Sequence, residues 1–168
     1  MNGIGRAARV LAAAALVAST IGCDRITKQL AASELSGHAR ISLAADLVRL
    51  EYTENAGGFL SFGAELPAAA RSAIFKIGTG ILLAGLGVLL YRRLAAGYWA
   101  IGPALLLAGG LANLLDRVTG GQVVDFLNIG VGGLRTGIFN VADVAITLGL
   151  VLVVVERARA RPTGLAGE

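Results

Sequence analysis

The residues of this sequence that could do acid–base chemistry stand at the ends of long apolar runs. In "NLLDR", Asn113, Asp116 and Arg117 have the i, i+3, i+4 spacing of one helix face. In "FNVAD", Asn140 and Asp143 begin the apolar run 139–155. An aspartate in a membrane span costs roughly 2.5–3.5 kcal/mol at the bilayer centre on insertion scales, and less near its edges. The carboxylate of Asp143 therefore calls for a functional or structural reason.

Two more acidic positions belong to the same set. Asp24 and Lys28 are four residues apart after the first apolar run, and Asp125 lies in the apolar stretch "VVDF". Asp125 and Asp143 have no basic partner in their own segments. Two carboxylates held close in a low-dielectric site cannot both ionise easily, so one of them keeps a proton. The ionised one can take a proton from water while the protonated one polarises a carbonyl, which is the chemistry of an aspartic peptidase.

Each of these features also has a purely structural alternative. Asp24 and Lys28 could form an interfacial ion pair, and Asp116 with Arg117 could form a salt bridge that closes the bundle. The two asparagines could be interhelical hydrogen-bond donors or helix caps. Asp143 could simply complement the dipole of its helix. The excess of carboxylates in one layer, with few cations near them, favours the catalytic interpretation over these alternatives.

Other catalytic chemistries find little support in the sequence. His38 is the only histidine and lies in a polar segment, so we expect a surface residue and no serine–histidine pair. There is no cluster of histidines and cysteines and no HExxH pattern, so we expect neither a metal nor a cofactor. The single cysteine, Cys23, excludes an internal disulfide.

The composition predicts a protein that crosses the membrane several times. Of 168 residues, 55% are hydrophobic and only 15% are charged, and the mean hydropathy is +0.72. A soluble domain would be about one quarter charged. Four apolar runs, 7–23, 72–91, 98–115 and 139–155, are near the roughly 20 residues that cross a bilayer. We therefore expect one all-α membrane domain with four transmembrane helices, and no nucleic-acid binding, because the arginines lie at segment ends.

Charge predicts the orientation of these helices. The basic pairs Arg6/Arg9 and Arg92/Arg93 and the arginines of the tail 156–168 all fall on one side, which should be cytoplasmic. The loops 24–71 and 116–138 then lie outside. Residues 47–63 alternate partly and predict a small β-containing periplasmic loop between helices 1 and 2. Residues 120–133 are a second β-branched stretch, whose glycine-rich end predicts a flexible loop.

The first apolar run has an alternative, because its basic start and the small residue before Cys23 are typical of a cleavable signal peptide or a lipoprotein signal. We favour a retained helix, because the residue three positions before Cys23 is Thr20 and not leucine. Asp24 and Lys28, directly after it, also fit the first motif of the resemblance below.

The motifs together resemble lipoprotein signal peptidase (signal peptidase II), a four-span aspartic peptidase of the bacterial inner membrane. The match runs in order through "DRITK", "NAGGFLSFG", "GGLANLLDRV", "VVDF" and "FNVADVAITLG". The resemblance implies that Asp125 and Asp143 are the catalytic pair. It implies that Asn55, Asn113, Arg117 and Asn140 hold the substrate and the pair. The supporting positions of the matched motifs are Asp24, Lys28, Gly57 and Asp116, of which Asp116 is expected to position Arg117 and the helix ends.

The same resemblance implies the substrate and the inhibitor. The substrates would be prolipoproteins with a diacylglyceryl-modified cysteine, cut before that cysteine at the outer face of the membrane, and globomycin, a cyclic lipopeptide, would bind in the same groove. We expect a monomer whose partners are these substrates and membrane lipids. The sequence departs from the family pattern after Asn55, where either Phe59 or Phe62 would pack under the loop, and at Ala112, where the family has glycine.

Two other functions fit single features. A small transporter would carry acidic residues along the whole membrane depth, whereas the middles and inner halves of these runs have none. A non-catalytic membrane adaptor would leave Asp125 and Asp143 far apart. The distance between these two carboxyl groups is therefore the decisive structural test.

Overall fold

The protein is built from five helices and four short strands, seen in a computed structural model that describes residues 3–58, 63 and 65–160. The helices are α1 Gly3–Glu34, α2 Ala68–Ser72, α3 Thr79–Ala95, α4 Ile101–Thr119 and α5 Val141–Ala160, and a π-helical turn, Ala73–Gly78, joins α2 to α3. The strands are β1 Ile41–Leu43, β2 Val48–Asn55, β3 Val123–Val131 and β4 Leu134–Arg135.

Three helical segments of the described chain are long and apolar enough to cross a membrane: Gly5–Glu34, Ala68–Ala95 and Ile101–Thr119. The first helix continues well past the predicted end at residue 23, so Asp24 and Lys28 lie on α1 and not in a loop. The fourth apolar run is helical too, as α5. It is not among these three segments, because three charged residues, Asp143, Glu156 and Arg157, lie within its first 18 residues.

Glycines allow α4 and α5 to pack closely against each other. A Cβ at Gly109 would collide with the backbone carbonyl of Ala142, and one at Gly149 would lie 2.8 Å from the carbonyl oxygen of Gly102. The two helices therefore approach to backbone contact at both ends of their interface. This close approach brings the amide of Asn113 on α4 to the first turn of α5.

The four strands form one antiparallel sheet in the order β1–β2–β3–β4. The prediction placed β-structure between the first two helices, and β1 and β2 are there. The sheet also takes β3 and β4 from the segment between α4 and α5, because β2 pairs with β3. Gly130 lies within β3, and Gly132 and Gly133 form the hairpin turn to β4, where a flexible loop was predicted.

At the end of the bundle away from the sheet, the basic segments meet. Arg6 donates a hydrogen bond of 2.7 Å to the hydroxyl of Tyr91, and Arg93 lies 2.9 Å from Glu156. The start of α1 and the ends of α3 and α5 are thus on the same side. The end of the predicted basic tail, 161–168, and the two phenylalanines at positions 59 and 62 lie outside the described residues.

Candidate active site

Asp125 lies on β3 and is 2% exposed. Its Oδ2 accepts a hydrogen bond of 2.9 Å from Nδ2 of Asn55, at the end of β2, and its Oδ1 accepts one of 2.6 Å from Nδ2 of Asn140. Among the described residues, no cation lies within salt-bridge distance of it. Burial raises the pKa of Asp125 above its usual range, because the charged form loses its hydration, and the hydrogen bond from Asn55 opposes that shift.

Asp143 lies in the first turn of α5 and is 8% exposed. Its Oδ1 accepts a hydrogen bond of 2.9 Å from Nδ2 of Asn113. Its backbone N–H donates to Oδ1 of Asn140 at 3.0 Å, and the N–H of Asn140 donates back to its Oδ2 at 3.4 Å. These reciprocal bonds resemble a capping box, and they fix the rotamer of Asp143 at the beginning of the helix.

Asn140 connects the two carboxylates. It is fully buried, and its one side chain donates to Asp125 through Nδ2 and accepts from the backbone of Asp143 through Oδ1. Both carboxylates line the same cavity of about 260 Å³, together with Asn55, Asn113 and other residues of the same layer. The structure therefore brings Asp125 and Asp143 to one site, although they lie on a strand and a helix.

Beside this cavity lies a compact cluster of buried charges. Nζ of Lys28 is 2.6 Å from Oδ2 of Asp24, 2.6 Å from Oδ2 of Asp116 and 2.8 Å from Oδ1 of Asn113. Asp24 and Lys28 are 1% and 5% exposed. The second oxygen of Asp24 accepts the N–H of Ala142 at 2.8 Å. This cluster therefore ties α1 to α4 and to the N-terminus of α5.

The ion pair of Asp116 differs from the expectation. The sequence predicted that Asp116 would position Arg117, but its salt bridge is with Lys28, and no salt bridge joins it to Arg117 in the described part of the chain. The physical reason is helix geometry, because consecutive residues of a helix do not face each other. Asp116 faces α1, whereas Arg117 faces the cavity.

Arg117 is 8% exposed and lines the same cavity. Its Nη1 donates to the carbonyl of Asn113 at 3.2 Å, its Nη2 donates to the carbonyl of Gly57, and its guanidinium lies 5.6 Å from the ring centroid of Phe75. Its Nε is buried and has no hydrogen-bond partner among the described residues. Phe75 was not singled out from the sequence, because a phenylalanine in an apolar run has no distinguishing signal.

The loop after β2 is folded around the side chain of Asn55. Oδ1 of Asn55 accepts the N–H of Gly57 at 2.9 Å, and its Nδ2 also donates to the carbonyl of Gly58 at 3.0 Å. An asparagine that bonds the backbone two residues on is typical of an Asx turn. Asn55 therefore shapes this loop and contacts Asp125 at the same time.

An apolar cavity of about 370 Å³ lies next to Asp143. Phe139, Val144 and Leu148 contribute to its lining, and Asp143 is its one charged lining residue. The sequence did not identify the three apolar lining residues, because apolar side chains are expected throughout a membrane span. The cavity places an apolar surface directly beside the carboxylate.

The remaining chemical candidates lie away from this site. His38 is exposed, and its Nδ1 is 3.0 Å from the carbonyl of Ser36. Cys23 is exposed and free. The described residues contain no group of three or more histidines, cysteines and acidic residues placed to hold a metal ion. The polar side chains that line the cavity are two carboxylates, two amides, one hydroxyl and one guanidinium.

The chain is similar over most of its length to proteins of one family. A family model described as signal peptidase (SPase) II matches residues 16–159. A lipoprotein signal peptidase of Syntrophus aciditrophicus is 32% identical over 79% of this chain and 83% of its own length. One of Chlorobium phaeobacteroides is 34% identical over 83% and 85%. A solved structure titled as a bacterial membrane enzyme superimposes with a TM-score of 0.76 at 23% identity, covering 94% of this chain and 93% of that one.

Proposed function

This chain belongs to the signal peptidase II family, and we propose that Asp125 and Asp143 are its catalytic pair. As a member of that family it is an aspartic peptidase that removes signal peptides from prolipoproteins during lipoprotein maturation. The observation that carries the assignment is Asn140, whose side chain contacts Asp125 and caps Asp143 in one cavity.

The two carboxyl groups share one proton in this mechanism. The ionised one takes a proton from a water molecule, whose oxygen attacks the carbonyl before the cysteine of the substrate. The protonated one donates a hydrogen bond to that carbonyl, and a proton passes to the amine of the cysteine as the peptide bond breaks. Amide donors suit this chemistry because they orient a carboxylate without the full neutralising charge of a cation.

Arg117 is suited to hold the substrate peptide. Its buried Nε has no partner within the described residues and it lines the cavity, so a peptide carbonyl could accept its hydrogen. Phe75 and the carbonyls of Gly57 and Asn113 fix the rest of its guanidinium. Asn55 and Gly57 hold the loop beside it, and Asn113 supports Asp143.

Asp24, Lys28 and Asp116 are positioning residues in this proposal. Lys28 has only donors, so the amide of Asn113 must turn its oxygen toward Lys28 and its Nδ2 toward Asp143. Asp24 holds the N-terminus of α5 through the N–H of Ala142. The cluster thus sets the orientation of the groups that contact the catalytic pair.

The orientation in the membrane follows from both ends of the bundle. The chain is a multi-pass membrane protein, and α5 is the fourth span in our proposal, because Leu148, Val151 and Val154 expose apolar surface along it. The basic segments at the end away from the sheet support a cytoplasmic location of both termini in a bacterial cell. The active site then lies at the outer face of the inner membrane.

The substrate would carry a diacylglyceryl group on the cysteine after the cleaved bond. The apolar cavity beside Asp143 supports a lipid or a signal helix next to the reacting atoms. Globomycin, an amphipathic lipopeptide, would occupy the same groove and inhibit the enzyme. The protein would act as a monomer, because all the residues of the proposed mechanism come from one chain.

A gel-shift assay with a diacylglyceryl-modified prolipoprotein and the purified protein tests the assignment. Asp125→Asn and Asp143→Asn should each lower the rate of processing by about 10³-fold or more, because each removes one acid–base group. Asp46→Asn makes the same chemical change at an exposed carboxylate and should leave the rate unchanged. Asp116→Asn should lower activity or stability only partly. A near wild-type rate for either catalytic variant would refute the assignment.

A further inference from the structure

A third cavity, of about 280 Å³, lies between α1 and the beginning of α4. Along α4, sixteen residues separate Ile101, at the rim of this cavity, from Arg117, which is about 24 Å at the rise of an α-helix. The hydrocarbon core of a bilayer is about 30 Å thick. The cavity is therefore at the membrane face opposite to the catalytic pair.

The cavity combines an apolar wall with one half-buried arginine. Ala13, Leu16 and Ala104 are among its apolar lining residues, and Arg9 is its one charged lining residue. Nε of Arg9 is buried and has no hydrogen-bond partner in the described part of the chain. The other two arginines that contact neighbours at this end, Arg6 and Arg93, bond to a tyrosine and a glutamate. A buried guanidinium N–H without an acceptor favours an anionic ligand.

The size and charge of the cavity limit which anion fits. An anion with an apolar chain would satisfy the guanidinium and cover the apolar wall, whereas an inorganic ion would leave that wall exposed. The N-terminal end of α4, at Ala100 and Ile101, adds a partial positive charge beside the cavity. The cytoplasmic leaflet carries anionic lipids, and basic pockets between helices on that side bind their head groups.

We propose that this cavity binds an acidic phospholipid of the inner leaflet, with its phosphate on Arg9 and an acyl chain along Ala13 and Leu16. The inference rests on the proposed orientation of the chain but not on the catalytic pair. Binding and cleavage are separate measurements at opposite ends of the molecule, so a failure of one can be told from a failure of the other.

Trp99 provides a direct measurement, because it is the only tryptophan of the sequence and it lines the cavity. The full chain is placed in nanodiscs with increasing fractions of phosphatidylglycerol or phosphatidylcholine whose acyl chains carry bromine. We expect half-maximal quenching of Trp99 at an about fivefold lower fraction of phosphatidylglycerol, the size typical of one arginine near an anionic surface. Arg9→Gln should remove this preference.

Arg92→Gln is the matched control, because Arg92 is exposed at the same end and does not line the cavity. It should keep the preference for phosphatidylglycerol. Equal quenching by the two lipids in the wild-type protein would overturn the proposal without any variant, and so would an equal loss of preference in both variants. Millimolar inorganic phosphate should not relieve the quenching, and relief would assign the site to free phosphate instead.

Discussion

Two groups of buried and half-buried carboxylates lie side by side in this protein and differ in what surrounds them. Asp24 and Asp116 share the ammonium of Lys28, at 2.6 Å each. Asp125 and Asp143 accept hydrogen bonds from amides instead, and no cation of the described residues lies within salt-bridge distance. In the first group one cation contacts both carboxylates, whereas in the second group neither carboxylate has a cation of the described chain in contact.

This difference suits the first group to a structural role and the second group to catalysis. A cation next to a carboxylate stabilises its ionised form. Amide donors orient a carboxylate with a weaker effect on its charge, so burial and a neighbouring carboxylate decide where its proton goes. Burial alone would therefore not identify the catalytic residues, because Asp24 is as buried as Asp125.

One asparagine connects the two groups. Oδ1 of Asn113 accepts from Lys28 at 2.8 Å, and its Nδ2 donates to Asp143 at 2.9 Å. The group around Lys28 therefore determines which way this amide faces the catalytic group. A substitution in either group should therefore affect the other group through Asn113. Substitutions in the two groups should differ in their effects on stability and on the rate of processing.

The largest effect on stability should come from Lys28→Met. It would leave Asp24 and Asp116 without their cation, and breaking a buried ion pair in this way costs about 3–5 kcal/mol. Asp125→Asn should leave the free energy of unfolding unchanged or raise it, because it removes a desolvated charge. Unfolding in mixed micelles with increasing denaturing detergent measures both. Similar losses in the two variants would show that the two groups do not differ as described.

Asn140→Ala should have the next largest effect, this time on the rate. It removes the side chain that contacts both carboxylates, and loss of one such donor lowers turnover by about 10²–10³-fold. Asn128→Ala is the matched control. Asn128 is also a buried amide of the sheet, but it bonds Arg135 and the carbonyl of Thr136. The control should lose stability and keep its rate, and an equal loss of rate would contradict a specific role of Asn140.

The pH dependence of processing should identify the group that holds a proton. Burial raises the pKa of Asp125. The stability that its protonated form contributes is therefore fully present below about pH 3.9, its unfolded pKa, and is lost as the pH rises through its folded pKa. Processing should fall on the alkaline side for the same reason, because the pair loses the proton that it needs.

Asn55→Ala tests the cause of this pH dependence. The hydrogen bond from Asn55 lowers the pKa of Asp125, so its removal should move the alkaline limb of the kcat/KM profile to higher pH. The rate at the optimum will also fall, because Asn55 shapes the adjacent loop, but the position of the limb is independent of that loss. A limb that moves to lower pH would contradict a role of Asp125 in the titration of the catalytic pair.

The long helices of this fold could be predicted from the sequence, because a segment that crosses a bilayer must be a long apolar run. A charged residue within such a run is therefore easy to identify. That is why Asp143 attracted attention. The extension of α1 through Asp24 and Lys28 was not visible, since a polar helical turn after a span looks like the beginning of a loop. The pairing of β2 with β3 could not be predicted either, because the two strands are separated in sequence by α2, α3 and α4.

The residues of the site could be predicted from the sequence, but the contacts between them could not. Residue types and motifs pointed to the acids and amides, whereas the partner of Asp116 depends on how α1 packs against α4. Lys28 and Asp116 are 88 positions apart, so no local pattern connects them. Phe75 under Arg117 is a similar case, because only the folded chain places that ring beside the guanidinium.

The smallest effect on stability should come from Asp46→Asn. Asp46 extends the comparison because it is an exposed carboxylate that is paired with cations. Arg49 and Ser42 hydrogen-bond Asp46 and lower its pKa, so its contribution to stability is present above its unfolded pKa and is lost as the pH falls through its folded pKa. The thermal midpoint of the variant should lie slightly below that of the wild type at pH 7, and the gap should narrow below about pH 4. A gap that instead changes between pH 5 and 8 would show that Asp46 is coupled to the buried groups.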